Sequence, residues 1–145
     1  MNLTLIRRGL ANHFSDITGL RVFPDWPDSV IVPCACIVFD GDEDDQTFGL
    51  EYVILTHLRV DILVSVQPDS SRAQQRLDAL MGEPTRDAIR AASTAAAAAA
   101  DAGAPTYGDA SVYLFRGTSG LREMNVGGVS YLGVEVSVDV WARHS

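Results

Sequence analysis

The stretch EYVILTHLRVDILVSV, residues 51–66, indicates what kind of fold the chain adopts. Its second half places apolar residues at every second position, and polar side chains such as Arg59 and Asp61 fall between them. A period of two is typical of a β-strand that buries one face and leaves the other polar. Because strands usually run for about five or six residues, a strand of this length favours a large curved sheet of the kind shared along an assembly.

The segments around this strand predict helices on one side of a sheet. Apolar residues at spacings of three and four, or a long alanine run, predict helices over residues 3–17, 73–80 and 84–100. Apolar runs or further alternation predict strands over residues 30–39, 111–116 and 129–141. Pro24 and Pro27 make residues 22–29 an extended connection. The order of elements predicts an α+β fold, a mainly antiparallel β-sheet with an N-terminal helix and two further helices packed on one face, and a chain of 145 residues favours a single domain over 1–145.

The charge balance limits the classes of ligand that this chain is expected to bind. Its formal net charge is -8 and it contains no lysine, so a nucleic-acid backbone is not expected as its primary ligand. No apolar run reaches the roughly 18 residues that a membrane-spanning helix requires. Two arginines followed by polar residues stand where a signal peptide has its apolar stretch. These features predict a soluble protein that is neither secreted nor inserted into a membrane.

No template for catalysis or metal binding is complete in the sequence. The chain lacks the glycine-rich loops that bind nucleotides, and His13, His57 and His144 lie singly on a predicted helix, a predicted strand and the C-terminal tail. Cys34 and Cys36 have no second pair at zinc spacing, and we expect them as two buried side chains on one strand face without a disulfide. We therefore expect no enzyme activity, no cofactor and no metal site.

Residues 40–46, with the sequence DGDEDDQ, form a charge block that predicts a solvated, mobile loop between two strands. The alternate aspartates that start at Asp40, together with Glu51 at the twelfth position, match part of a calcium-binding loop. Asp45 stands where that loop requires glycine, and the flanks favour strands where helices are required. A solvated charge run is therefore favoured over a calcium site.

Three segments give the chain a recognisable layout over nearly its whole length. They are the N-terminal helix, the long strand that continues into the second helix (LRVDILVS, residues 58–65, then RAQQRLDAL, residues 72–80), and the closing strand over residues 134–141. This layout resembles that of the tail terminator proteins of long-tailed, siphovirus-type bacteriophages. The alanine-rich third helix and the long acidic block depart from the family's pattern.

The resemblance implies a structural virion protein that forms a homohexameric ring at the head-proximal end of the tail tube. Such a ring ends tube polymerisation and joins the tail to the head-completion or connector protein. It also implies that DNA passes through the lumen without specific binding, and that the protein lies in the tail-neck region of the virion after assembly in the host cytoplasm. A head-completion or head-tail connector subunit is the first alternative. A small-molecule-binding domain is the second, although no cluster of convergent polar residues marks a pocket.

The residues expected at the protein contacts lie in or just after the acidic block and on the polar faces of two strands. The acidic block is expected to become ordered when it meets the tail tube, which would give specificity at an entropic cost. His57 could titrate near neutral pH beside Arg59 and Asp61, but a surface or interface histidine is favoured over a pH switch. The full set of expected interaction residues is Asp42, Glu43, Asp44, Asp45, Phe48, His57, Arg59, Asp61, Glu135 and Asp139.

Overall fold

The structure is a computed structural model that describes residues 2–25, 27, 30–45, 53–66, 70–103 and 105–143. The helices are α1 (Leu3–Phe14), α2 (Ser70–Met81) and α3 (Glu83–Asp101), and a short 3-10 helix covers Pro105–Tyr107. The strands are β1 (Arg21–Phe23), β2 (Cys34–Asp45), β3 (Val53–Val66), β4 (Ala110–Thr118), β5 (Arg122–Val126) and β6 (Val129–Arg143). The chain therefore has the mixed α+β content that the sequence predicts.

The strands form one sheet in the order β1-β2-β3-β6-β4, with β5 paired to the beginning of β6. The pairing of β1 with β2 is parallel, and all the other pairings are antiparallel. The two longest strands, β3 and β6, lie side by side in the centre of the sheet. The predicted mainly antiparallel sheet is confirmed, and its central strand is the one that the alternation in residues 51–66 indicates.

The main core lies between the helices and one face of the sheet, which we call the inner face. Strands β3 and β6 contribute alternate valines and isoleucines such as Val60 and Val138, which are fully buried. From α1, Phe14 is also fully buried, and α3 contributes Ala92 and Ala96. Small alanine side chains let α3 approach closely while its helix propensity stays high. The alternation of β3 thus buries one face against the helices, as predicted.

A buried tyrosine joins the sheet to the N-terminal helix. The hydroxyl group of Tyr113, a residue that is 3% exposed, donates a hydrogen bond of 2.7 Å to the backbone carbonyl of Ile6. Burial raises the pKa of Tyr113, so the hydroxyl remains a donor at neutral pH.

Replacing Tyr113 with phenylalanine should lower the free energy of unfolding by about 1 kcal/mol, because the substitution removes one buried hydrogen bond and keeps the ring. Urea denaturation followed by circular dichroism measures this loss. An unchanged midpoint of unfolding would show that this bond contributes nothing to the docking of α1.

A second, smaller apolar cluster covers part of the opposite face of the sheet, which we call the outer face. It lies at the end of the sheet where β2 begins and β3 ends. Its buried members are Cys34, Cys36, Leu63, Met124, Val126 and Tyr131. Both cysteines are buried and carry free thiols, as expected from the sequence. The neighbouring Cys34 and burial together raise the pKa of the Cys36 thiol, which keeps it protonated at neutral pH.

The prediction of a loop over residues 40–46 is wrong for residues 40–45, which continue β2 and pair with the beginning of β3. The register shifts between Phe39 and Asp42, and Gly41 takes a positive φ of 109° at this irregularity. A glycine at such a bulge lets a strand continue past a local kink. Asp40, whose side chain is 55% exposed, shows that a carboxylate of this segment can lie on an extended strand without burial. Gln46 lies outside the described residues.

Other boundaries also differ from the predictions. Helix α1 ends at Phe14 and not near Gly19, since residues 15–19 form turns. Strand β2 begins at Cys34, four residues after the predicted start at Val30. The short strands β1 and β5 were not predicted, because three and five residues are too few to show a clear alternation.

Candidate protein-interaction site

The candidate site is the part of the outer face that the second apolar cluster leaves uncovered. Register places His57 of β3 opposite Asp139 of β6, and their side chains form a contact of 2.7 Å between Nδ1 and Oδ1. The second oxygen of Asp139 accepts a bond of 3.2 Å from Nε of Arg116 on β4. One carboxylate therefore links side chains from two neighbouring strands.

A second ionic pair lies further along β3. The guanidinium group of Arg59 donates bonds of 2.8 and 3.2 Å to the two carboxylate oxygens of Asp61, whose side chain is 2% exposed. Burial raises the pKa of the Asp61 carboxyl, and the bonds from Arg59 oppose that rise. The same pairing raises the pKa of Arg59. Asp40 lies 3.9 Å from Arg59 and extends the network onto β2.

A third pair joins β5 to β6. Arg122 lies 3.3 Å from the carboxylate of Glu135, which stands opposite Asp61 in the register of β3 and β6. The hydroxyl group of Ser119 accepts a hydrogen bond of 2.9 Å from the backbone N–H of Glu135. This bond ties the connection between β4 and β5 to β6. The structure thus brings together five of the predicted residues: His57, Arg59, Asp61, Glu135 and Asp139.

This ionic network satisfies its own charges within one subunit. Asp61 needs its partner to be tolerated in a buried position, since an unpaired buried carboxylate is costly. Such pairs set which residues face each other across the strands. The network therefore makes the outer face polar and ordered, but it offers a partner few unpaired groups.

An apolar strip beside the network was not predicted. One row of the register runs across three strands through Leu55, Trp141 and Val112, and Leu114 follows in the next row beside Asp139. Val112 and Leu114 are 39% and 43% exposed, and Leu55 and Trp141 are partly buried. We call these four residues the apolar strip. An aromatic residue among exposed aliphatic side chains is typical of the centre of a protein interface.

The sequence contains a pattern that indicates half of this strip, although a search for alternating apolar residues does not find it. In the segment VYLF, residues 112–115, every residue is apolar, so both faces of β4 are hydrophobic. Tyr113 and Phe115 turn towards the main core, whereas Val112 and Leu114 lie on the outer face. Strands that are apolar on both faces are typical of sheets that are covered on both sides. The two apolar faces of β4 therefore indicate that another molecule covers its outer face.

The remaining predicted residues lie elsewhere. The backbone of residues 42–45 forms the end of β2, but their side chains lie outside the described part of the structure, and so does Phe48. The calcium hypothesis also falls on this segment, including Glu51, and lies outside the described residues. Among the side chains that are described, no group of three or more histidine, cysteine, aspartate or glutamate residues could hold a metal ion.

Two of the open grooves along α3 lie between this helix and other elements of the fold. One of about 540 Å³ runs between α1 and the α2–α3 pair, and it is lined by His13, Asp16 and Asp87 among apolar residues. Nε2 of His13 is already bonded to the hydroxyl group of Tyr107 at 2.8 Å. The other groove, of about 320 Å³, runs between α3 and β4 and includes Val112 and Leu114 of the apolar strip. The second groove therefore continues the candidate site around the edge of the sheet.

The comparisons with known proteins leave the candidate site as the main guide to function. Within the described ranges, none of the helices is long and apolar enough to cross a membrane. No protein-family model matches the chain, and a search of the curated proteins finds no significant match.

Proposed function

We propose that this protein is a structural subunit that assembles with other protein subunits, and specifically a tail terminator of a long-tailed bacteriophage. In this role, it forms a homohexameric ring on the last ring of the tail tube, stops tube growth and joins the tail to the head-completion or connector protein. The observation that carries the proposal is the apolar strip, of which Val112 and Leu114 are exposed and Leu55 and Trp141 are partly buried among the described residues. The resemblance of the sequence layout to the tail terminator family also supports the proposal.

The apolar strip is suited to subunit contacts for a physical reason. Contacts between subunits depend on a few well-packed anchors, and tryptophan is one of the residues enriched among them. Trp141 stands between Leu55 and Val112 on three strands, so strand pairing on both sides fixes its backbone. An anchor that is already fixed loses little conformational entropy when a partner binds.

The charge of the protein fits a lumen through which DNA slides. A net charge of -8 without lysine repels the phosphate backbone at long range. The arginines of the outer face are engaged with carboxylates, as in the pairs of Arg116 with Asp139 and Arg122 with Glu135. In this proposal, DNA passes without specific binding, the protein needs no cofactor or catalytic site, and it functions in the tail-neck region of the virion.

The mass of the purified protein, alone and with tail tube subunits, tests this function. Light scattering gives the mass, and negative-stain imaging shows the shape and the tube length. A ring, either in solution or on tube ends whose length it limits, supports the proposal. A ring that ignores the tube points instead to a connector subunit, and a monomer in both conditions overturns the proposal.

Replacing Leu114 with glutamate should prevent assembly without unfolding the subunit, because Leu114 is exposed and a buried charge at a contact is costly. We expect self-association at least about tenfold weaker than that of the unmodified protein, measured by analytical ultracentrifugation. The matched control is Val129→Glu, which introduces the same charge at a valine that is 42% exposed at the start of β6. Equal effects of the two variants would show that the apolar strip is not the contact.

A further inference from the structure

The groove of about 540 Å³ between α1 and the α2–α3 pair lies among the helices that pack on the inner face of the sheet. We call it the helical groove. Its apolar lining includes Ile17 from the turn after α1, Leu80 from α2 and Ala88 from α3. Small-molecule sites usually enclose most of the surface of their ligand, and this groove is open to solvent. An open apolar groove between helices instead suits an elongated partner such as another helix.

The charges at the helical groove are acidic. Asp16 lines it on the α1 side and Asp87 on the α3 side, and none of the described residues that line it is an arginine. Glu83 lies four residues before Asp87 and therefore on the same face of α3. Within the described residues, Asp16 and Glu83 have no ion-pair partner, and Asp87 has an exposed contact of 3.3 Å with Arg90. Since exposed pairs contribute less than about 1 kcal/mol, a cation from a partner can compete for Asp87.

Two side-chain hydrogen bonds hold the walls of the helical groove in place. The hydroxyl group of Thr85, a fully buried residue, donates a bond of 2.7 Å to the backbone carbonyl of Leu80 and so ties the end of α2 to the start of α3. On the α1 side, Nε2 of His13 is bonded to the hydroxyl group of Tyr107 at 2.8 Å, and the two rings stack. Walls that are fixed before binding reduce the entropic cost of docking a partner.

We infer that the helical groove docks a cationic amphipathic helix of a partner protein. The apolar side chains of that helix would lie in the groove, and its basic side chains would lie beside Asp16, Glu83 and Asp87. Complementary charge of this kind steers the encounter and excludes acidic segments. The inference goes beyond the proposed function, because a ring contact through the apolar strip on the outer face does not require this groove.

The arginines of the chain favour a different protein as the occupant over a second copy. The chain contains no lysine, and its net charge of -8 opposes the approach of another copy to an acidic groove. Five arginines already pair with carboxylates in the same subunit: Arg7, Arg59, Arg90, Arg116 and Arg122. A second copy would therefore bring few free cations to the helical groove, whereas a basic partner would bring many.

Ala91→Arg tests the docking. Ala91 lines the helical groove and is exposed on α3, so an arginine there places both bulk and positive charge in the groove without disturbing the core. The probe is a dye-labelled synthetic helix of about 15 residues, with leucines on one face and arginines on the other. Fluorescence anisotropy should show that this peptide binds the unmodified protein and binds Ala91→Arg at least about tenfold more weakly.

A matched variant and a matched peptide control this test. Ala97→Arg makes the same substitution at an exposed alanine of α3 outside the helical groove, and it should bind the peptide as the unmodified protein does. A second peptide, with glutamate in place of every arginine, should bind at least about tenfold more weakly than the first. Absence of binding by the arginine peptide, equal binding of the two peptides, or equal losses in Ala91→Arg and Ala97→Arg would each overturn the inference.

Self-association separates this inference from the proposed function. Analytical ultracentrifugation should show that Ala91→Arg associates with itself as the unmodified protein does, because the apolar strip lies on the outer face. Weaker self-association in Ala91→Arg but not in Ala97→Arg would indicate that a second copy occupies the groove, and would overturn the inference of a different partner. If the unmodified protein binds the arginine peptide but forms no ring, alone or on tubes, the proposed function fails while the docking site stands.

Discussion

Gly133→Ala should lower the free energy of unfolding by about 3 kcal/mol. Gly133 lies on β6 opposite Leu63, where the register between β3 and β6 shifts. A Cβ atom at this position would collide with the backbone carbonyl oxygen of Ile62 and would lie 3.1 Å from Cα of Leu63. These are backbone atoms in the two central strands, so neither can move aside as a side chain would.

Chemical denaturation of Gly133→Ala measures this loss, and Gly120→Ala is its matched control. A Cβ atom added at Gly120 meets nothing within 4 Å, so the control should change stability by no more than about 0.5 kcal/mol. If both variants unfold at the same urea concentration, the close approach of β3 to β6 is not as tight as described.

Arg59→Met is the second variant with a large expected effect, a loss of about 3 kcal/mol at pH 7. Methionine keeps the length and the apolar stem of the side chain but removes the guanidinium group. Asp61, with its side chain 2% exposed, then keeps a buried carboxylate without the two bonds that Arg59 supplies. Its other neighbours, Cys36, Glu135 and Asp40, do not replace that positive charge.

The loss in Arg59→Met should depend on pH, and its sign follows from Asp61. Burial already raises the pKa of Asp61 above its ordinary value of 3.8, so the folded state binds this proton more readily than the unfolded state does. Folding is therefore favoured, as far as Asp61 is concerned, as the pH falls through the raised pKa. Removing Arg59 raises this pKa further. The difference in stability between the variant and the unmodified protein should be largest at pH 7 and should shrink as the pH falls towards 3.8.

Urea denaturation at a series of pH values measures this difference. Arg90→Met is the control, since Arg90 pairs with Asp87 at 3.3 Å on the exposed surface of α3. Exposed pairs of this kind contribute less than about 1 kcal/mol, and the change should not vary with the titration of Asp61. A loss in Arg59→Met that stays constant with pH would contradict the assigned role of Arg59.

Patterns that extend over many residues predicted most of the fold. The alternation from Leu58 to Val66 correctly identified β3, and the alternating valines after Val134 identified β6. The alanine run, residues 95–100, lies in α3 as expected. In each of these segments, one property repeats over several turns or pleats, so local chemistry and burial favour the same structure.

The parts that were missed depend on tertiary contacts. Residues 40–45 have a composition typical of loops, yet they continue β2, and residues 42–45 pair with β3. The apolar strip assembles from Leu55, Trp141, Val112 and Leu114, which belong to three strands separated by long stretches of sequence. The alternation was enough to place His57, Arg59 and Asp61 on one face of a strand. Their partners on other strands, such as Asp139, could be identified only from the register between β3 and β6.

The second apolar cluster has a mechanical consequence. At the end of the sheet where β3 finishes, side chains pack on both faces, from the main core on one side and from Leu63, Met124 and Tyr131 on the other. At the opposite end, around Trp141, the buried clusters formed by the described residues pack on the inner face alone. We therefore expect the sheet to be stiffer at the end that is packed on both faces than at the end around Trp141. In a ring of such subunits, one rim would hold its shape while the other adjusted to the object on which it is seated.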